Sequence, residues 1–254
     1  MRINYHTHTF RCGHAQGTDE EYIKSAIAGG GEVLGFSEHS TYIMHPEAAT
    51  KLCLTRETLP QYVQDIQNLA EKYKNDICIH VGIEAEYFPD TFGDLRAVLR
   101  DEGVEYMLLG QHFLDSPYGQ RIRKEISEVS VLERYCSQVI EAIQTGAVTY
   151  ICHPDSILYT GNQKVLKEQL RRICKEAKAC DMPLEINLLG VLKQKHYPSR
   201  LFCELLAEEG NTVIFGADAH QPERFLEHSA ERDAEEMVKE YGLQLVEMVH
   251  FNKI

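Results

Sequence analysis

The sequence predicts an α/β protein with a distorted seven-stranded (β/α)7 barrel, similar to a TIM barrel. Short β-branched or apolar runs alternate with longer amphipathic runs seven times along the chain, a pattern typical of parallel strands joined by helices. Each strand candidate is also followed by polar residues suited to chemistry. Polar ends on every strand favour a closed ring over an open sheet, because the strand ends of a ring share one rim.

The strand candidates are short runs rich in apolar and β-branched residues. They cover residues 2–6, 32–39, 77–86, 105–113, 147–153, 183–189 and 212–220. The helix candidates between them have apolar residues three or four positions apart, as at Tyr62 and Ile66. They cover residues 19–29, 57–74, 91–102, 131–145, 164–180, 199–209 and 222–241. Thr18 predicts the start of the first helix and Gly29 its end.

Composition indicates a globular protein with one core. The chain has 254 residues, of which 43% are hydrophobic, and it contains no linker-like or low-complexity segment. We therefore expect a single domain over residues 1–254. The longest apolar runs are shorter than the roughly 18 residues of a membrane span, so we expect no membrane partner. No signal-peptide pattern or CxxC cysteine pair occurs, which favours a cytoplasmic protein with reduced thiols.

Charge narrows the possible partners. The formal net charge is −13, and no cluster of five or more Lys or Arg residues occurs. Such a surface repels long nucleic-acid duplexes, whose binding needs Lys and Arg to neutralise phosphates. A small anion can still bind where metal cations reverse the local potential.

The polar residues at the strand ends are mainly imidazoles and carboxylates. His6 and His8 lie two positions apart, so on a strand both side chains leave the same face and reach one ion. Asp218 and His220 repeat this spacing after the last strand. The other candidate ligands are His14, His39, Glu84, His112 and His153. Each one alone is also compatible with a polar rim residue, but together they predict a metal site.

Three further residues near the candidate ligands have alternative roles. Glu84 and Glu86 share a strand face, and a buried carboxylate without a positive partner is costly. We expect Glu84 to bridge cations and Glu86 to stay near solvent or to support a ligand. Glu38 is a candidate acceptor for a ligand imidazole. Cys12 is either a thiolate ligand or a small, largely buried thiol.

In series, these residues resemble the polymerase and histidinol phosphatase (PHP) superfamily. The resemblance runs through the segments HTH, CGH, FSEH, GIEAEY, GQHF, CHPD and GADAH, in that order. It implies a distorted seven-stranded barrel with a trinuclear centre of Zn, Mn or Fe ions. The implied sites are His6, His8, Glu84 and Asp218 for one ion, Glu84, His112 and His153 for the second, and His14, His39 and His220 for the third.

Within that superfamily the chain is most similar to monofunctional histidinol-phosphate phosphatases, by its size and by the HYPS segment at 196–199. This resemblance implies hydrolysis of L-histidinol phosphate, a step of histidine biosynthesis, through a metal-bridged hydroxide. Glu84, Asp218 and His220 would have the catalytic roles. Such enzymes place phosphate-binding arginines after the CHPD histidine and after the EIN strand, where this chain has Leu158 and Leu192.

Residues in the loops beyond the strand ends are candidates to bind a small phosphorylated substrate. They are Arg11, His45, Lys193, Lys195, His196 and Arg200. Two alternatives remain open. The same trinuclear centre would also serve a phosphodiesterase or a nucleotide or oligonucleotide phosphatase, and the barrel would serve a non-catalytic protein that binds metal or a phosphorylated ligand.

Overall fold

A computed structural model describes residues 1–48 and 54–254. It contains a single parallel sheet whose strand order follows the chain. The strands are β1 (Ile3–Asn4), β2 (Val33–His39), β3 (Cys78–Ala85), β4 (Tyr106–Leu109), β5 (Tyr150–Ile151), β6 (Leu184–Asn187), β7 (Thr212–Gly216) and β8 (Gln244–Leu245). The α-helices are α1 (Asp19–Ala28), α2 (Leu59–Tyr73), α3 (Phe92–Glu102), α4 (Val129–Gln144), α5 (Gln163–Ala179), α6 (Leu188–Leu192), α7 (Arg200–Glu209) and α8 (Ser229–Tyr241).

The sheet curls until its first and seventh strands meet. Thr7 and Ala219, just beyond the carboxyl ends of β1 and β7, form a parallel bridge. The His8 backbone N–H donates to the Ala219 carbonyl over 2.9 Å. The predicted barrel is therefore confirmed, with one difference in strand number. The additional strand β8 pairs with Thr212 and Val213 at the amino end of β7, and its two exposed residues are too few to produce a strand pattern in the sequence.

Local capping sets several helix boundaries. Thr18 and Glu21 form a capping box at α1, which ends at Gly29 as predicted. The predicted strand over 183–189 instead becomes β6 followed by α6, because the Asn187 side chain accepts the Gly190 N–H over 2.8 Å and starts a helical turn. The last helix is also shorter than predicted, since Pro222–Phe225 forms a separate 3₁₀ turn before α8.

Tyrosines fill the amino-terminal half of the barrel interior. Tyr5, Tyr106 and Tyr150 are buried there, and the Tyr106 hydroxyl donates to the carbonyls of Tyr5 over 2.7 Å and Phe36 over 3.0 Å. Gly35 provides the space for this ring, because a Cβ at that position would lie 2.9 Å from Tyr106 Cζ. The polar residues that follow the strands therefore lie together at the opposite, carboxyl-terminal end of the barrel. Among the described helices, none has the length and apolar character of a membrane span.

Candidate metal centre

Glu84, at the carboxyl end of β3, lies at the centre of the imidazole cluster. It is 1% exposed. Its Oε1 atom lies 3.0 Å from His153 Nε2, and 3.7 Å from both His112 Nε2 and His6 Nε2. Its other oxygen, Oε2, lies 2.7 Å from His39 Nδ1. One carboxylate thus faces imidazoles from several different strands, as expected of a bridging ligand.

Asp218, just beyond β7, is the second carboxylate of the cluster. Its Oδ1 atom lies 3.6 Å from His6 Nε2, 3.5 Å from His8 Nε2 and 3.4 Å from His220 Nδ1. Asp218 has φ of +46° and His153 has φ of +30°, a left-handed conformation that is unusual for residues other than glycine. Such backbone strain concentrates at functional sites.

The remaining imidazoles complete the cluster on the side of the loop after β1. His14 Nε2 lies 2.9 Å from His220 Nε2, and the His8 and His39 rings stack with centroids 4.2 Å apart. The structure thus brings all nine predicted ligands to one place. Their individual assignments to three ions stay a prediction.

The cluster fits divalent cations. His6 Nε2 and His8 Nε2 lie only 3.1 Å apart, and each also lies within 3.7 Å of a Glu84 oxygen. Several sets of three residues could each hold a cation, because the three ligand atoms within a set lie within 4.8 Å of one another. These sets include His8, His39 and His220; His6, His153 and Asp218; and His6, His8 and Glu84. Mixed imidazole and carboxylate shells suit Zn, Mn and Fe.

The electrostatics agree with this reading. Burial alone would raise the pKa of Glu84, but the imidazoles of His39 and His112 outweigh burial and hold that pKa well below its ordinary value. Burial lowers the pKa of His112 to about 4, and burial together with neighbouring imidazoles lowers the pKa of His8 far below its ordinary value. Ionised carboxylates and neutral imidazoles are the forms that bind metal. His6 and His39 differ from His8 and His112, because neighbouring acidic groups outweigh burial and raise the pKa of both, so these two imidazoles would release a proton when a cation binds.

A cavity of about 830 Å³ opens above the cluster. His14, His39, His112, His153 and Asp218 form its floor. Four cationic side chains line the cavity: Arg121, Arg123, Lys193 and Lys195. The remaining surface includes the apolar side chains of Phe113 and Leu189. A small anion with an apolar part fits such a cavity.

Of the six residues predicted to bind substrate, only Lys193 and Lys195 line this cavity. Arg11 is held by ion pairs to Asp19 and, over 2.8 Å, to Asp65.

The other three residues also lie away from the cavity. His45 Nδ1 lies 3.5 Å from Glu47 Oε1, and His196 Nε2 donates to the Ser156 carbonyl over 2.9 Å. Arg200 is the exposed first residue of α7. Arg11, His45, His196 and Arg200 are thus absent from the described lining of the cavity, and their part in substrate binding stays a prediction.

Arg121 and Arg123 are the cavity residues that sequence reasoning missed. They belong to a segment that pairs with Leu158: the Leu158 N–H donates to the Ile122 carbonyl, and the Ile126 N–H donates to the Leu158 carbonyl, each over 2.9 Å. Leu158 is one of the two positions where an arginine was expected. The sequence did contain a signal for these arginines. The connection between the predicted strand 105–113 and the predicted helix 131–145 is much longer than the usual 2–6 residues, and it contains the basic segment RIRK.

The barrel and this cluster together define the class: a β/α-barrel protein whose pocket is built for divalent cations. The chain belongs to the PHP domain family, whose sequence profile matches residues 4–188. Seven of the nine predicted ligands fall in that range, and Asp218 and His220 follow it.

Similar proteins carry histidinol-phosphatase names. The chain is 27% identical over 224 residues to a probable histidinol-phosphatase of Deinococcus radiodurans, covering 85% of each chain. It is 26% identical over 251 residues to the histidinol-phosphatase of Bacillus subtilis, covering 85% of this chain and 92% of the other.

Among solved structures, the fold is similar to histidinol phosphate phosphatase of Lactococcus lactis, whose crystal contains zinc, L-histidinol and phosphate. The TM-score is 0.76 at 19% identity, with 96% of this chain and 95% of the other covered. At this identity the likeness concerns the fold.

Proposed function

We propose that the protein is a metal-dependent phosphomonoesterase that hydrolyses L-histidinol phosphate, with three Zn, Mn or Fe ions as cofactors. The observation that carries this proposal is the cluster of imidazoles around Glu84 and Asp218 at the floor of a cationic cavity. Membership of the PHP domain family and the similarity to histidinol-phosphatases over most of the chain support the choice of reaction and substrate.

The three ions are assigned to the ligand sets that the resemblance to the PHP superfamily implies. Glu84 would hold two of them, because its Oε1 atom faces His153 and His112 and its Oε2 atom lies 3.3 Å from His8 Nε2. When bound, divalent cations activate water as a nucleophile and stabilise the charge on a phosphoryl group. The protein side chains fix the positions of the reacting groups, and hydrolysis is slow when these positions are lost.

Arg121 and Arg123 bind the phosphate of the substrate. They take the role of the two arginines that were expected where this chain has Leu158 and Leu192. Arg123 lies with its guanidinium 5.3 Å from the centroid of the Tyr197 ring, near the segment that follows α6. From there it lowers the pKa of His112 by charge repulsion, although burial of that imidazole is the larger cause. A guanidinium close to the imidazole cluster is in place to bind phosphoryl oxygens in a fork-like geometry.

Proton transfer is assigned to Asp218 and His220. His220 Nδ1 lies 2.9 Å from the Asp218 carbonyl and 3.4 Å from its Oδ1 atom. Burial and neighbouring imidazoles lower the pKa of His220, so this imidazole is neutral near pH 7. Its Nδ1–H donates to the Asp218 carbonyl, which leaves only the Nε2 lone pair; where Nε2 holds a cation, the Asp218 carboxylate is the group that accepts the proton.

Metal removal tests the proposal. Exhaustive chelation should abolish hydrolysis of L-histidinol phosphate, and Zn²⁺ or Mn²⁺ should restore it, because the cluster without cations offers no nucleophile. Elemental analysis of the purified protein gives the number and identity of the ions. Undiminished turnover after complete chelation would contradict the proposed chemistry.

A second candidate is a nucleotide or oligonucleotide phosphatase or phosphodiesterase with the same centre. Four cationic side chains around the cavity exceed what one phosphoryl group needs, which favours a substrate with further negative charge. A panel of L-histidinol phosphate, nucleotide monophosphates and short oligonucleotides, compared by kcat/KM, separates the two.

Three further predictions from the sequence accompany this proposal. They are a cytoplasmic location, no binding of long nucleic-acid duplexes, and a single domain over residues 1–254. The single domain is supported by the sequential pairing of all strands in one sheet.

A further inference from the structure

We propose that Glu185 is a positioning residue that fixes the orientation and tautomer of His6, so that His6 Nε2 faces the cations. The inference rests on the proposed function only in requiring a divalent cation at the cluster. Glu185, on β6, is fully buried, and its Oε1 atom lies 2.7 Å from His6 Nδ1. Within residues 1–48 and 54–254, no Lys or Arg forms an ion pair with it.

The other oxygen of Glu185 fixes the direction of these hydrogen bonds. Oε2 accepts the His153 backbone N–H and the Asn187 Nδ2–H, each over 2.9 Å. Both groups can only donate, so Oε2 accepts and carries no proton. As a carboxylate, Glu185 can only accept at Oε1 as well. His6 Nδ1 then carries the proton that it donates to Oε1, and the lone pair of Nε2 points to Glu84 and Asp218.

Glu185 also links His6 to two other candidate ligands. The bond to its Oε2 holds the backbone of His153, whose φ is +30°. The Asn187 Nδ2 atom that donates to Glu185 lies 3.2 Å from Asp218 Oδ2. The carboxylate occupies space left by Gly216, where a Cβ would lie 2.6 Å from Glu185 Cδ. It therefore has little room to move.

Glu38 provides a comparison within the same cluster. Its Oε1 atom accepts the Thr9 N–H over 2.7 Å and the Thr9 hydroxyl over 2.6 Å. Its Oε2 atom lies 4.0 Å from His8 Nδ1, and both atoms are buried without a hydrogen-bond partner. Glu38 has the same relation to His8 as Glu185 has to His6, but without direct contact. We expect a smaller effect from its replacement.

Two substitutions separate positioning from charge. In Glu185→Gln the amide oxygen must face His153 and Asn187, so the amide NH₂ faces His6 Nδ1. That arrangement moves the His6 proton to Nε2 and blocks the metal-binding atom. Glu185→Asp keeps the charge but is shorter by one methylene, so it loses reach to His6. Both should weaken Zn²⁺ binding by about 10–100-fold, the usual effect of losing such a partner.

The test is the Zn²⁺ dissociation constant of the full chain, measured by competition with a chromophoric chelator after metal removal. Asp155→Asn is the matched control, because Asp155 is a buried carboxylate (5% exposed) that accepts the Ser199 N–H instead of orienting a ligand. This variant should bind Zn²⁺ like the wild type. Nitrogen-15 NMR of the zinc-loaded protein should show a protonated His6 Nδ1 in the wild type and not in Glu185→Gln.

The outcomes are distinct. Wild-type affinity in both Glu185 variants would overturn the assignment. Wild-type affinity in Glu185→Asp with a loss in Glu185→Gln would overturn it in favour of charge alone. Tight Zn²⁺ binding without turnover of any phosphate ester would refute the proposed function and leave the positioning role standing. Circular dichroism of the metal-free proteins checks that each variant folds.

Discussion

Gly110→Ala tests whether the position of Glu84 controls the site. Gly110 follows β4 and donates its N–H to the Ala85 carbonyl over 2.9 Å. A Cβ at this position would lie 2.6 Å from Glu84 Cγ and closer still to Cδ and Oε1. Because carbon atoms normally approach to about 3.5–4.0 Å, the Glu84 side chain has to withdraw by at least about 1 Å. Gly110 does not have a positive φ, so the added methyl causes no backbone strain of its own.

A displacement of that size is large for a carboxylate that faces several imidazoles. A misplacement of about 1 Å commonly costs about 10²-fold in rate, and overpacking costs about 1–3 kcal/mol of stability. We therefore expect Gly110→Ala to lower kcat/KM for L-histidinol phosphate by about 10²-fold and to weaken Zn²⁺ binding. The assays are steady-state kinetics with zinc-loaded protein and a chelator-competition titration.

Gly93→Ala is the matched control. Gly93 is exposed in α3, and a Cβ there would meet nothing within 4 Å. The change should leave kcat/KM unaltered and stabilise the protein by up to about 1 kcal/mol, because alanine is the better helix former. Wild-type kinetics in Gly110→Ala, with the protein folded, would refute the idea that Glu84 is held in place by the space at Gly110.

Two other substitutions have defined outcomes. Arg123→Leu should raise KM for the phosphomonoester by about 10–100-fold, because a charged hydrogen bond to the substrate is lost. Arg200→Leu should leave KM unchanged. Equal effects of the two variants in steady-state kinetics would contradict the assignment of Arg123 to the substrate cavity. Asp155→Asn should change stability. Burial raises the pKa of Asp155 in the folded protein from 3.8 to about 6, so the folded state binds the carboxyl proton more tightly than the unfolded state. The stability of the wild type therefore falls as the pH rises from about 4 to about 6. At pH 7 the variant should be more stable by up to about 3 kcal/mol, and below pH 4 the gain should vanish; a pH-independent difference in urea unfolding would contradict this reasoning.

The metal cluster could be predicted because its signal is local. The pairs His6/His8 and Asp218/His220 have strand spacing, and Glu84 and His153 each end an apolar run. Parallel topology then brings such ends together without further information.

The substrate side of the cavity could not be predicted in the same way. Arg123 reaches the cavity because its segment pairs with the backbone of Leu158, a contact between distant parts of the chain. Arg11 is withdrawn by an ion pair to Asp65, 54 positions away. Neither contact leaves a periodic pattern, so the sequence could not indicate which loop side chains line the cavity.

Charge explains how an acidic protein can bind a phosphorylated substrate. The nine candidate ligands comprise seven histidines and two carboxylates, so three divalent ions would leave an excess of four positive charges, which the neighbouring carboxylates of Glu86 and Glu185 reduce to two. Arg121, Arg123, Lys193 and Lys195 add to it. Exposed acids elsewhere contribute to the net charge of −13, but salt screens them beyond about 10 Å. The potential inside the cavity would therefore be positive, which suits a small phosphate ester, and we expect the acidic outer surface to repel a long duplex.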